Sequence, residues 1–182
     1  TNVAFAWQFG RACFDRAEFA TNNTERALIA DQGIAACRRA LLRKMDSAPA
    51  HYYLAMNLGQ LARTKSLGAL KLVDQMEAEF KTARRLDEHF DFAGPDRNLG
   101  LLYLEAPGWP TSIGSRTKAR QHLSRAVALA PQHPENRLSL LEALLRWRDR
   151  KDALREFQET EAVWPIAATN LVGEAWTAAW AD

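Results

Sequence analysis

The fold is decided by residues 119–165, which read ARQHLSRAVALAPQHPENRLSLLEALLRWRDRKDALREFQETEAVWP. A small residue, a large apolar residue and a proline in this stretch each recur after 34 residues. The recurring pairs are Ala119 and Ala153, Leu123 and Phe157, and Pro131 and Pro165. Self-similarity at a fixed period indicates a repeat protein, in which each unit buries its apolar face against the next. We expect each proline to end the second helix of its unit.

A period of 34 residues is typical of the tetratricopeptide repeat (TPR), a unit of two antiparallel helices. Upstream, Leu99, Gly100 and Tyr103 match the leucine, glycine and aromatic positions of its first helix. Tyr103 and Ala119 are 16 residues apart, about seven more than the motif has between these positions. The insertion contains APGWP at 106–110, whose two prolines and glycine interrupt a helix.

The same reading, extended along the chain, predicts one all-α domain over 1–182. We expect a TPR-like right-handed superhelix of about four antiparallel helix pairs, because no segment shows the alternation of a half-buried strand. The polar cluster Thr21-Asn22-Asn23 offers N-caps for the second helix. The predicted pairs span 3–44, 49–87, 95–130 and 134–164, and a capping helix at 166–181 covers the open end.

Composition argues against two classes of protein. A formal net charge of +2 over 182 residues is small for a protein that neutralises phosphates, so nucleic-acid binding is not favoured. No stretch approaches the roughly 20 apolar residues that span a bilayer. The chain begins at Thr1 with no charged-then-apolar leader, and we expect that any export signal has been removed or left out.

Motifs for catalysis, cofactors and metals are missing from the sequence, so we predict no enzyme, no cofactor and no metal site. The histidines lack ligand spacing; they are His51, His89, His122 and His133. Ser115 and Lys118 match an SxxK nucleophile motif, but Ser115 is expected to cap the following helix. Cys13 and Cys37 are expected to be small buried hydrophobes, while a disulfide between them depends on geometry that the sequence does not give.

One segment resembles a more specific family. GPDRNLGLLY at 94–103 runs into the 106–110 insertion, then SIG at 112–114 and PENRL at 134–138. This order resembles the T component of TRAP transporters, a family of bacterial exported TPR-like proteins. The resemblance implies a periplasmic or lipid-anchored protein that partners a solute-binding subunit, with homo-oligomers that handle apolar or organic-acid ligands. The alternative is a general TPR adaptor, in the cytoplasm or periplasm, that captures a partner helix or peptide.

The concave surface of such a superhelix is lined by the first helix of each pair. Its predicted binding residues are Trp7, Arg11, Phe14, Tyr52, Met56, Arg97, Leu101, Leu104, Leu138 and Glu142. This lining is largely apolar, which suits a partner helix or a small apolar ligand. The alternative is that the chain termini fold over this surface and make it ordinary core.

The insertion is a second candidate interface. Pro107, Trp109 and Pro110 form a stiff loop that carries a large amphipathic ring, and such a ring can anchor a protein partner. The alternative is that Trp109 fills the gap that the insertion creates between neighbouring repeats.

Overall fold

The computed structural model describes residues 2–65 and 68–170. Over these residues the chain forms eight α-helices and no β-strand. They are α1 (Val3–Glu18), α2 (Asn23–Leu41), α3 (Ala48–Arg63), α4 (Ala69–Leu86), α5 (Phe90–Glu105), α6 (Arg116–Leu129), α7 (Pro134–Arg146) and α8 (Arg150–Asn170). Consecutive helices pair, each pair packs on the next, and the first helices contact one another in the order α1, α3, α5, α7.

Local side-chain hydrogen bonds set several helix starts, including two that the sequence predicts. Asn22 accepts a hydrogen bond of 2.9 Å from the backbone N–H of Glu25 at the start of α2. The Glu25 carboxylate accepts in return from the backbone N–H of Thr21 at 3.0 Å. The two side chains therefore satisfy two backbone N–H groups that have no helical acceptor. Ser115 caps α6 by accepting from the N–H of Lys118 at 3.3 Å, which confirms its structural role.

Small residues allow the helices of a pair to cross closely, as the repeat motif predicts. Leu99, Ala119, Leu123 and Ala126 are fully buried between α5 and its neighbours. Gly100 lies against Leu123, and a Cβ atom built on it would lie 2.6 Å from Leu123 Cγ and 3.0 Å from its backbone nitrogen. The absence of a side chain at Gly100 therefore sets the separation of α5 and α6.

The core has one large cluster over α2–α6 and a second over α6–α8, and two small clusters join α1 to α2 and α3. Tyr52, Phe80 and Leu99 are among the most buried members of the first. The side chains of Leu104 and Trp147 pack against both clusters. The apolar core is therefore continuous from the second helix pair to the fourth, as expected for stacked repeats.

A buried carboxylate joins the second and third helix pairs. Asp96 on α5 is fully buried, and its oxygens lie 2.7 Å from Nδ1 of His122, 3.3 Å from Arg84 and 3.2 Å from Arg125. His122 and Arg125 belong to α6, while Arg84 belongs to α4. Asp96 is thus stabilised by groups on two other helices, as a buried charge requires.

The predicted helix end at Pro165 is wrong, whereas Pro131 follows the end of α6 as expected. α8 continues through Pro165 to Asn170. A proline removes one helical hydrogen bond, but Ala167 beyond it is only 1% exposed, so packing of the last turn offsets that loss. Residues 166–170 therefore continue α8, and the rest of the predicted capping helix lies outside the described residues.

Both cysteines are free and buried, as the sequence predicts. Cys13 is 5% exposed and Cys37 is fully buried. Burial raises the pKa of the Cys37 thiol to about 12. Since only the thiolate is a nucleophile, both residues serve as small core side chains.

Gly100→Ala should destabilise the protein by about 1–3 kcal/mol, because the new Cβ meets the backbone of Leu123. Gly59→Ala is the matched control, since its Cβ would meet only the flexible end of Met76, at 3.1 Å. Removing a helical glycine should leave that variant neutral or up to about 1 kcal/mol more stable. Denaturant unfolding of both variants checks the prediction, and equal effects at the two glycines would contradict it.

The contact between His51 and Glu79 should make stability depend on pH. The Glu79 carboxylate, 2.5 Å from Nδ1, raises the pKa of His51. Only the protonated ring donates both to Glu79 and to the carbonyl oxygen of Met45, 2.8 Å from Nε2. This stabilisation is fully present below about pH 6.5, the ordinary histidine pKa, and is lost as the pH rises through the raised folded-state pKa.

We therefore expect His51→Gln to cost more unfolding free energy at about pH 5.5 than at about pH 9. In a Glu79→Gln background the same substitution should cost a similar amount at both pH values. Denaturant unfolding of the four proteins at the two pH values provides the test. A cost of His51→Gln that is the same at both pH values in the wild-type background would refute the assignment.

Candidate functional site

The first helices of the four pairs enclose an open cleft of about 670 Å³. Eight of the ten predicted concave residues line it: Arg11, Phe14, Tyr52, Met56, Arg97, Leu101, Leu138 and Glu142. The lining is completed by Asp15, Tyr53, Asp91, Phe92, Asn98, His133, Glu135 and Ser139. The described residues leave the cleft open, and the deeply buried members, such as Tyr52, form its floor.

The other two predicted residues lie outside this cleft. Trp7 stacks on Tyr53 with ring centroids 5.9 Å apart, and it meets Phe90 edge-on at 6.5 Å. Leu104 packs between the two core clusters. Both residues therefore join helix pairs instead of lining the cleft.

The prediction of a largely apolar lining is wrong. Phe14, Met56, Leu101 and Leu138 supply apolar surface, but they are outnumbered by the charged and polar residues of the lining. The motif predicts only three concave positions per first helix, so it missed the carboxylates of Asp15 and Glu135. These lie one turn from Arg11 and Leu138 and share their faces. It also missed Asp91, which lies in non-helical backbone at the start of α5.

The carboxylate of Asp91 reaches the cleft because the backbone there turns left-handed. Asp91, Phe92 and Ala93 have φ values of 52°, 54° and 64°. This conformation costs an L-residue roughly 1–2 kcal/mol, and none of the three is glycine. Such a turn persists only where surrounding contacts over-determine it.

Arg97 is the first of those contacts. Its side chain is 8% exposed, and its guanidinium donates to the Asp91 carboxylate at 3.1 Å and to the Asn136 side-chain oxygen at 2.9 Å. The Glu135 carboxylate lies 3.2 Å away on the other side. One buried cation therefore joins the start of α5 to the start of α7, with an opposite charge on each helix.

Asn136 is the second contact, and it is fully buried. Its amide nitrogen donates to the carbonyl oxygen of Phe92 at 2.9 Å, within the left-handed turn. The same amide donates to the carbonyl oxygens of Ala126 and Ala130 at 3.1 and 3.3 Å, at the end of α6. Ala126 and Ala130 also accept from the backbone N–H groups of Ala130 and His133. Asn136 thus adds a second hydrogen bond to each of these carbonyl groups and ties the end of α6 to the left-handed turn.

Aromatic and hydroxyl groups complete this network. Tyr52 donates to the Asp91 carboxylate at 2.7 Å and accepts from Asn98 at 2.9 Å. Phe92 stacks on His133 with ring centroids 4.4 Å apart. Tyr52 comes from α3, so the network links the second, third and fourth helix pairs around the cleft floor.

Charge in the cleft is unevenly balanced. Burial raises the pKa of Asp15, and the charge of Asp91 raises it further against the opposing effect of Arg11. Burial likewise raises the pKa of Tyr53 to about 12, with Asp91 as the next cause. A hydrogen bond from His133 lowers the pKa of Glu135, and burial opposes this. The charge of Asp91 thus acts on Asp15 of α1 and Tyr53 of α3, while burial is the larger cause of both pKa shifts.

The inserted loop lies apart from this cleft. Trp109 is 89% exposed, and Pro107 and Pro110 are exposed beside it. The alternative in which Trp109 fills a gap between repeats is therefore wrong, because a side chain that plugged such a gap would be buried.

Backbone hydrogen bonds hold the base of the loop. The N–H of Gly114 donates to the carbonyl oxygen of Pro107 at 2.9 Å, and the N–H of Ser115 donates to that of Tyr103 at 2.9 Å. A Cβ atom on Gly114 would lie 2.0 Å from the carbonyl oxygen of Ala106. Backbone hydrogen bonds therefore join the two ends of the loop, and the indole of Trp109 projects from it into solvent.

Two further observations concern the described residues as a whole. Within 2–65 and 68–170, no three His, Cys, Asp or Glu side chains lie together as metal ligands would. None of the helices in those ranges is both long and apolar enough to cross a membrane.

Comparison with known proteins identifies the fold. The crystal structure of a thermophilic TPR protein from Thermus thermophilus matches this chain with a TM-score of 0.60 at 19% identity, over 86% of each chain. No protein-family model and no curated protein matches the sequence. The predicted all-α, TPR-like superhelix is thereby confirmed, since likeness at this identity establishes architecture.

Asn136→Ala should destabilise the protein by about 2–4 kcal/mol, because it removes four hydrogen bonds at a fully buried position, including one to the buried Arg97 guanidinium. Asn98→Ala is the control. It removes two hydrogen bonds, to Tyr52 at 2.9 Å and to the carbonyl oxygen of Gly94 at 3.0 Å, at a more exposed position, and should cost about 1 kcal/mol. Denaturant unfolding compares the two, and a smaller loss at Asn136 than at Asn98 would contradict the network described above.

Proposed function

We propose that this protein is a non-enzymatic binding module that holds a segment of a partner protein in the cleft between α1, α3, α5 and α7. The observation that carries the proposal is the cleft itself, about 670 Å³ and open, with every helix pair contributing side chains. A surface built from all repeats is the usual binding face of a helical repeat array.

The chemistry of the lining favours a polypeptide over a compact apolar molecule. Phe14, Met56, Leu101 and Leu138 are adaptable or bulky apolar groups that suit partner side chains. The charged residues between them would leave an apolar ligand facing unpaired groups, which costs affinity. Protein interfaces combine both kinds of surface.

The second candidate is the T component of a TRAP transporter, in the periplasm or anchored by lipid. Its support is the resemblance of residues 94–114 and the exposure of Trp109 on its loop. An exposed indole on a closed loop base suits a contact with a solute-binding subunit or a second copy of the chain. The cytoplasmic adaptor is the alternative location for the same cleft.

Site-specific photo-crosslinking in cells distinguishes these surfaces. A benzophenone amino acid replaces Leu138 in the cleft, Thr111 in the loop or Lys151 on α8, one position at a time. We expect discrete protein adducts from position 138, because a partner segment held in the cleft lies within reach of the probe. Denaturing gels and mass spectrometry of the adducts provide the measurement.

Position 151 is the background control, since it lies on a second helix away from the cleft. Adducts from 111 with none from 138 would favour the transporter subunit and reject the cleft as the main interface. Equal labelling at all three positions would reject both proposals.

A further inference from the structure

We propose that the cleft selects a basic, amphipathic helix of the partner protein, with Lys or Arg directed at Asp15 and Glu142. This inference deepens the proposed function and rests on it. It is supported by the excess of carboxylates in the cleft, by the ion pairs that Arg97 already forms, and by the hydrogen bonds that Asn98 already makes.

The cleft carries a surplus of negative charge. Its charged residues are the carboxylates of Asp15, Asp91, Glu135 and Glu142 and the guanidinium groups of Arg11 and Arg97. The chain as a whole has a net charge of +2. The sign of the cleft is therefore opposite to that of the molecule, and complementarity favours a cationic partner.

One of the two positive charges in the cleft is held by buried ion pairs. Arg97 is buried and lies within 3.2 Å of both Asp91 and Glu135. Its single positive charge is shared between those two carboxylates and offsets only one of their two negative charges, so little of it acts on an incoming ligand. Two carboxylates remain, Asp15 on α1 and Glu142 on α7, from the outermost of the four helices that line the cleft.

These two carboxylates are accessible. Within 2–65 and 68–170, Asp15 forms one ion pair, with Arg11 at 3.7 Å, and both side chains are more than half exposed. An exposed pair of this kind is worth at most about 1 kcal/mol, so a partner cation can replace it. Glu142 is exposed and has no ion pair or hydrogen bond within the described residues.

The hydrogen-bonding groups of the cleft favour a helix as the bound form. An extended segment needs partners for its own backbone groups. Asn98 directs both of its N–H groups inward, to Tyr52 and to the carbonyl oxygen of Gly94. A helix satisfies its backbone internally, and its apolar face can rest on Phe14, Met56 and the leucines of the cleft.

Three synthetic peptides of about 15 residues test the inference, a length at which helices become stable enough to form on contact. All are acetylated and amidated and share one leucine face, while the opposite face carries only Lys, only Glu or only Gln. Fluorescence anisotropy measures their binding to the purified chain at about 50 mM and about 500 mM salt. We expect the Lys peptide to bind about tenfold more tightly than the Glu peptide at low salt, with the difference shrinking at high salt.

Two double variants locate this preference. Asp15→Asn with Glu142→Gln removes the cleft carboxylates and should abolish most of it. Asp31→Asn with Glu161→Gln is the control, which changes the net charge by the same amount at exposed positions on α2 and α8, outside the cleft lining. It should leave the preference for the Lys peptide unchanged. Because the chain is positive overall, long-range attraction favours the Glu peptide and cannot produce the expected result.

Met56→Gln separates this inference from the proposed function. The inference fails if Met56→Gln weakens the binding of all three peptides but the wild-type chain binds the three with equal affinity. It also fails if the two double variants reduce the preference for the Lys peptide equally. In either case the cleft binds helices without charge selection. If no peptide binding responds to Met56→Gln, the proposed function fails as well. Tighter binding of the Glu peptide would overturn the inference alone.

Discussion

The Arg97 guanidinium is the interaction on which the structure around the cleft depends. It is 8% exposed and lies between carboxylates from α5 and α7. A buried cation requires partners of this kind, because removing one partner of a buried ion pair typically lowers the free energy of unfolding by about 3–5 kcal/mol. The positions of both helices relative to each other are therefore constrained by a requirement for charge compensation as well as by apolar packing.

The left-handed turn at Asp91–Ala93 follows from the same constraint. Three consecutive residues in this conformation are strained, yet the turn brings Asp91 within reach of Arg97 and Tyr52 and places the Phe92 ring against His133. Asn136 fixes the carbonyl oxygen of Phe92 from the side of α7. Strain in one turn is thus offset by a network that spans three helix pairs, and that network forms the floor of the cleft.

Function connects to this network through charge. Arg97 forms ion pairs with Asp91 and Glu135. It therefore stabilises the fold and contributes little to the electrostatic potential at the surface of the cleft. The carboxylates of Asp15 and Glu142 remain to face a partner. A cleft that is acidic on a chain of net charge +2 is a local property that bulk composition does not reveal.

The sequence predicted those features that depend on spacing. The 34-residue period located Ala119 and Leu123 in the packed helix pairs. The motif positions located Gly100 at a close helix crossing and found most of the residues that line the cleft, because they follow from regular helix geometry. It failed where the backbone or the packing departs from that regularity. Asp91 enters the cleft through a left-handed turn that contains no glycine to signal it, and α8 passes through Pro165 because Ala167 beyond it is buried.

A double-mutant cycle on Asp91 and Arg97 measures directly how strongly Arg97 stabilises the left-handed turn. Asp91→Asn removes one charge at the same shape, and asparagine still tolerates the left-handed conformation. Arg97→Gln removes the guanidinium and leaves a shorter, uncharged polar side chain. Denaturant unfolding of the wild type, both single variants and the double variant gives the coupling energy. We expect a coupling of about 1–3 kcal/mol, whereas a value within about 0.5 kcal/mol of zero would show that Arg97 does not hold the turn.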